Sequence, residues 1–71
     1  SILSDDFILE VYNLLPAQPW PMGTHRNIAK KLHSNSTSVW DAIEILIEEG
    51  KVYNQKDGVL FDLDGNVVTG V

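Results

Sequence analysis

The chain has 71 residues, 44% of them hydrophobic, with a net charge of −5 and no cysteine. A chain of this length buries only about 60% of the surface that its unfolded form exposes, which leaves no room for a second core. The composition excludes a disulfide framework and a thiolate metal site, and it is typical of a folded chain rather than a disordered one. We therefore expect one domain over residues 1–71.

The charges are segregated along the sequence. Residues 1–23 contain three acids and no base, whereas residues 24–40 contain three bases, Arg26, Lys30 and Lys31, and no acid. Carboxylates return from Asp41 onward. A negative net charge argues against nucleic-acid binding, because phosphate contact supplies most of the non-specific affinity, but a local basic segment argues for it.

The first predicted element is a helix over residues 4–15. Ser4 is a typical capping residue, and the two aspartates after it lie at the positive end of the helix dipole. Apolar residues recur at helical spacing until Pro16, where the helix must end. The segment PAQPWPMG, with three prolines and a glycine, predicts a rigid, extended link from which Trp20 folds back onto the core.

Two further helices are predicted after this link. Thr24 is expected to cap the second helix, HRNIAKKL, and Asn35 or Ser36 to cap a third helix that runs to Glu49 and ends at Gly50. Periodicity places the basic residues of the second helix outward. The predicted inward residues are Ile28, Ala29 and Leu32 on the second helix and Val39, Ala42, Ile43 and Leu46 on the third.

The C-terminal third predicts a β-hairpin. KVYNQK and GVLFD are β-prone segments separated by Asp57-Gly58, which is a strong hairpin signal. A second turn, DLDGN, precedes VVTGV, which is expected to add another strand. The spacing of DLDGN does not fit an EF-hand calcium loop, so we expect a β-turn there. The order of elements predicts an α+β domain with three helices and a C-terminal hairpin.

The segment NIAKKLHSNSTSVWDAIEILIEEGKVY resembles the winged helix-turn-helix superfamily, in which a hairpin, the wing, follows the third helix. This resemblance implies a winged-helix domain that contacts double-stranded DNA by helix two, the N-terminus of helix three and the wing. An RNA-binding function would use the same basic segment. The positions that match the expected DNA contacts are Thr24, His25, Arg26, Lys30, Lys31, Asn35, Ser36, Thr37, Trp40, Gln55 and Lys56.

Helix three departs from the DNA-binding members of the superfamily. They favour basic or amide residues on its exposed first turns, and this chain has Trp40, Asp41 and Glu44. Periodicity predicts that Trp40 is at least partly exposed. His33 stands where the superfamily commonly has glycine.

These departures keep a second function open, protein binding in place of DNA binding. PWPMG, AIEILIEEGKVY and the acidic balance are similar to the C-terminal winged helix of the middle subunit of eukaryotic replication protein A, which docks helical peptides of repair proteins. A partner interface would then use Trp40, Asp41, Glu44, Ile45 and Ile47. The apolar groups on more than one face of helix three also favour a homodimer.

Catalysis is not expected from this sequence. No nucleophile lies beside a plausible base, two histidines are too few for a metal site, and the core is too small for a substrate pocket. We expect no enzyme activity, cofactor, metal or small-molecule substrate.

The longest mostly apolar run, FILEVYNLL, is well below the roughly 20 residues that span a bilayer. We expect a cytoplasmic protein, associated with the nucleoid or nucleus if it binds DNA, and no membrane contact.

Overall fold

The computed structural model describes residues 3–70 and contains three helices followed by a two-stranded antiparallel hairpin. This α+β arrangement is the one predicted, and it is compatible with a winged helix. The elements, in chain order, are α1 (Asp5–Leu14), α2 (Thr24–Lys31), α3 (Ser36–Glu48), β1 (Asn54–Lys56) and β2 (Val59–Phe61).

Helix α3 forms the centre of the core, because it packs against both α1 and α2. Its predicted inner residues Val39, Ala42, Ile43 and Leu46 are all buried, and they meet Val11 of α1. On α2, Ile28 and Ala29 are buried, and Leu32, the C-cap of α2, is half-buried against the same cluster. The helical periodicity of the sequence therefore predicted the core correctly.

Two of the three predicted helix caps are confirmed. The hydroxyl oxygen of Ser4 accepts a hydrogen bond from the Phe7 amide at 3.1 Å, and Asn35 Oδ1 accepts one from the Ser38 amide at 2.7 Å. The prediction for Thr24 is wrong: the N-cap of α2 is Gly23, and Thr24 is the first residue of the helix. The Thr24 hydroxyl instead donates to the Pro21 carbonyl at 2.7 Å, because the chain turns sharply as it leaves the proline-rich link.

Helices α2 and α3 end in the same motif, although with different residues. After α2, the Ser34 amide donates to the Ala29 carbonyl while His33 has a φ of +52°. After α3, the Lys51 amide donates to the Leu46 carbonyl while Gly50 has a φ of +74°. Both are Schellman-type ends, and a left-handed residue is required at this position in each.

The proline-rich link runs beside β1, where glutamine side chains replace a backbone ladder. The Gln18 amide group donates to the Tyr53 carbonyl and accepts from the Tyr53 N–H, both at 2.9 Å. The Gln55 amide group makes the same two bonds to the backbone of Trp20, both at 2.8 Å. These two glutamine pairs join segments 35 residues apart. Trp20 packs against the core, as predicted.

The hairpin has the predicted turn, with positive φ at both Asp57 and Gly58, as a type I′ turn requires. The prediction of a further strand in VVTGV is wrong for the described residues 67–70. They contribute one bridge, between Phe61 and Val67, and one bond from the Val68 amide to the Leu60 carbonyl. Asp62 closes the turn that brings Val67 beside Phe61, since its side chain accepts from the amides of Asp64 and Asn66. The segment does not continue as a strand, and Gly70 has a φ of +76°, outside the extended conformation. Val71 lies outside the described residues.

Candidate functional site

The first turns of α2 and α3 meet at a shallow depression of about 410 Å³. We call this the N-terminal depression, and it is lined by His25, Ser36, Thr37 and Trp40. The N-terminus of each helix carries a partial positive charge and amides that point out of the helix. Two such ends, two hydroxyls and an imidazole at one place form an environment suited to an anion.

A larger groove of about 610 Å³ lies next to this depression, between the proline-rich link, α3 and the turn of the hairpin. We call it the apolar groove, because tryptophan, methionine and isoleucine side chains form much of its surface. Met22 is 96% exposed and Trp40 is 42% exposed. The groove is lined by Trp20, Pro21, Met22, Gly23, Thr24, His25, Trp40, Ile43, Ile47, Gln55, Asp57 and Gly58.

A third, acidic depression of about 200 Å³ shares Ile47 with the apolar groove. It is lined by Glu44, Ile47, Glu48 and Asn54, so it lies between α3 and the start of β1. Both glutamates are exposed. The apolar groove therefore borders a depression suited to an anion on one side and a pair of carboxylates on another.

The two glutamine pairs fix one wall of the apolar groove. Because Gln55 bonds both backbone groups of Trp20, the link is tied to β1 at a residue that lines the groove. The Trp20 indole N–H donates to the Pro16 carbonyl at 2.9 Å, which orients the ring. Trp20 is half-buried and Gln55 is half-buried with it.

The predicted DNA-contacting residues differ in whether their side chains are exposed or are already hydrogen-bonded within the protein. The basic side chains of α2, together with Lys56 at the end of β1, are exposed, as are Asn35 and Thr37. Thr24 and Gln55 differ, since Thr24 is buried and both side chains are hydrogen-bonded within the protein. A phosphate contact by either side chain would require those bonds to break. Asn35 serves as the cap of α3, so its carboxamide oxygen is also engaged.

The residues of the predicted partner interface are only partly brought together. Trp40 and Ile47 line the apolar groove, and Glu44 lies in the adjoining acidic depression. Asp41 is exposed and Ile45 is half-buried, and neither lines the groove. Ile45 and Ile47 are both half-buried, so neither offers a fully exposed side chain for a dimer interface. The homodimer stays a prediction.

Sequence reasoning missed Met22 and Asp57 as parts of a site. Met22 is one of two large apolar residues in the sequence PWPM, and the available signal was its position in a proline-constrained link that has no helical period. Asp57 was assigned only to the turn, because its place at the end of the groove depends on how the hairpin folds toward α3.

Two negative findings apply to residues 3–70. In this part of the chain, no three or more histidines and carboxylates cluster in a way that could hold a metal ion. None of its helices has the length and apolar character needed to cross a membrane.

Comparison with protein-family models, curated proteins and solved structures found no match to this chain.

Proposed function

We propose that this domain binds double-stranded DNA through the phosphate backbone, as a regulator or a DNA-associated accessory factor. The observation that carries the proposal is the N-terminal depression, where the first turns of α2 and α3 converge. Ser36 and Thr37 supply hydroxyl donors there, and His25 supplies an imidazole. Backbone phosphates are commonly held by hydroxyls, helix N-termini and nearby cations.

The basic residues of α2 extend this surface. Arg26 follows His25 in the chain, and its guanidinium group lies near Gly23 at the start of the helix. Lys30 is one turn further along the same helix and is also exposed. Lys56 at the tip of the wing adds a separate cation. Phosphate contacts of this kind position a protein on the duplex without reading its sequence.

Base readout along the length of α3 is not part of this proposal. Asp41, Glu44 and Glu48 are exposed on α3, so a helix lying lengthwise in the major groove would set carboxylates against phosphates. The helix would approach DNA by its N-terminal end, with Trp40 as the first large side chain after the hydroxyls. We therefore expect modest affinity and little discrimination between sequences.

Fluorescence anisotropy with a labelled duplex of about two helical turns tests the proposal. Arg26→Glu and Lys30→Glu should each weaken binding to every duplex alike, and each should lower the salt slope by about 1 for each lost phosphate contact. Lys51→Glu is the matched control, because Lys51 is exposed but lies beside α1, away from α2.

Absence of binding at tens of micromolar at low salt would overturn the proposal, as would an equal loss in the Lys51 variant. Competition with a structured RNA separates DNA from RNA as the target, because an A-form helix offers a different groove geometry. Displacement of the duplex by RNA at a lower concentration than by unlabelled duplex would count against a DNA-binding function.

A further inference from the structure

The apolar groove leaves large hydrophobic side chains uncovered at one place. Met22 is almost completely exposed, and Trp40 stands on the same groove with 42% of its surface accessible. Scattered apolar residues are normal on a protein surface, but contiguous ones around a concavity are typical of a contact site. The proposed duplex contact involves Trp40 but leaves Met22 unexplained, because Met22 lies outside the N-terminal depression.

The charges near the groove favour a cationic occupant. Asp57 lies in the lining, and Glu44 and Glu48 flank the adjoining depression through the shared Ile47. Among the described residues that line these two concavities, none is a lysine or arginine, but the Arg26 guanidinium group lies near Gly23 on the α2 side of the groove. On the side of the groove that carries Asp57, Glu44 and Glu48, lysine or arginine side chains of a partner would be attracted and carboxylates repelled.

The hairpin restricts how an occupant can bind. On the β1 side, the Tyr53 backbone is already bonded to Gln18, and on the β2 side the Leu60 carbonyl accepts from the Val68 amide. A partner that added a strand would have to displace one of these contacts. An occupant that inserts side chains from a helix or a turn needs no such change.

We propose that the apolar groove binds a short cationic segment of a partner protein. The segment inserts one or two large apolar side chains between Met22 and Trp40, and its lysines or arginines lie beside Glu44 and Glu48. This binding goes beyond the proposed DNA contact and does not depend on it, because Met22 and Glu44 lie outside the N-terminal depression.

An NMR titration of the full chain with a synthetic peptide tests the proposal. The probe has about 14 residues, roughly four helical turns, with leucines at helical spacing and lysines elsewhere. It should shift the indole signals of Trp20 and Trp40 and the methyl signal of Met22. The same peptide with glutamates in place of the lysines should bind at least about tenfold more weakly.

Met22→Lys should weaken peptide binding by about tenfold or more. Leu63→Lys is its matched control, because Leu63 is 67% exposed and does not line the groove. Glu44→Lys should weaken peptide binding but strengthen duplex binding, since the same added charge repels one ligand and attracts the other. Failure of the duplex to bind would leave the peptide results unaffected, so the two proposals can fail separately.

Three results would overturn the proposal. One is the absence of shifts at the groove with about 1 mM peptide, a concentration that detects even a weak complex. A second is equal binding by the Met22 and Leu63 variants. The third is a change in the groove signals on dilution without peptide, which would mean that a second copy of the chain occupies the groove.

Discussion

The imidazole of His25 meets the indole of Trp40 edge to face, with ring centroids 5.7 Å apart and ring planes at 62°. Both side chains line the N-terminal depression and the apolar groove, so this pair is common to the two concavities. Edge-to-face aromatic pairs add about 0.5–1.5 kcal/mol beyond the area they bury. The pair therefore ties α2 to α3 at the place where both proposed ligands bind.

Trp40→Ala should weaken duplex binding and peptide binding together, each by several-fold. The reason is that the indole forms a wall of both concavities and also holds the His25 ring. Anisotropy measures the first effect and NMR titration the second, with circular dichroism melting as the check that the variant folds. If the variant lost binding to one ligand and fully kept binding to the other, the Trp40 indole would contribute to one binding site only.

Two separate variants at the Schellman ends, with glycine at residue 33 or histidine at residue 50, should change the free energy of unfolding in opposite directions. His33 occupies a left-handed conformation that disfavours side chains other than glycine, so His33→Gly should raise the free energy of unfolding by about 1 kcal/mol. Gly50→His should lower it by a similar amount, because a side chain at residue 50 would meet open space and only the backbone would be strained. Urea denaturation of both variants measures the difference. A loss of stability in the His33 variant would contradict the prediction.

Gln55→Leu should lower the free energy of unfolding by about 1–3 kcal/mol, because Trp20 would lose both hydrogen bonds to the side chain. The Trp20 indole should also become more mobile, which is measured by tryptophan fluorescence anisotropy. Asn54→Leu is the control, since residue 54 is on the same strand with an exposed side chain. Equal destabilisation by the two variants would mean that the glutamine pair contributes nothing specific.

Asn35→Ala should lower the free energy of unfolding by about 0.5–2 kcal/mol through loss of the cap on α3. Asn27→Ala serves as the comparison, because Asn27 is exposed within α2 and alanine favours a helix interior. Thermal denaturation should therefore separate the two variants by several degrees. If both variants melt together, the Asn35 side chain is not a significant cap.

The helices and the hairpin turn were predictable because local patterns determine them. Apolar spacing located the buried residues of α3, and Asp57-Gly58 located the type I′ turn. Thr24 was assigned wrongly because a threonine before a helix is normally read as its cap. Here the preceding glycine takes that place, and the threonine bonds to the link.

The apolar groove was not predictable from the sequence. It depends on the link lying against β1, and the contacts that hold it there join residues far apart in the chain. No local pattern marks a glutamine that will bond to a distant backbone, since an exposed glutamine and a paired one look alike in sequence. Trp40 was singled out from its helix face, but Met22 and Asp57 reach the groove only through this tertiary arrangement.

The glutamine pairs also determine which amide protons exchange slowly with solvent. Trp20 lies in an irregular, proline-rich link and Tyr53 precedes the first strand, so their secondary structure alone would suggest rapid exchange. Their N–H groups are nevertheless bonded, one to Gln55 and the other to Gln18. Each bond opens when its glutamine side chain lets go of the opposite segment, so slow exchange of these two protons would show that the link stays attached to the hairpin.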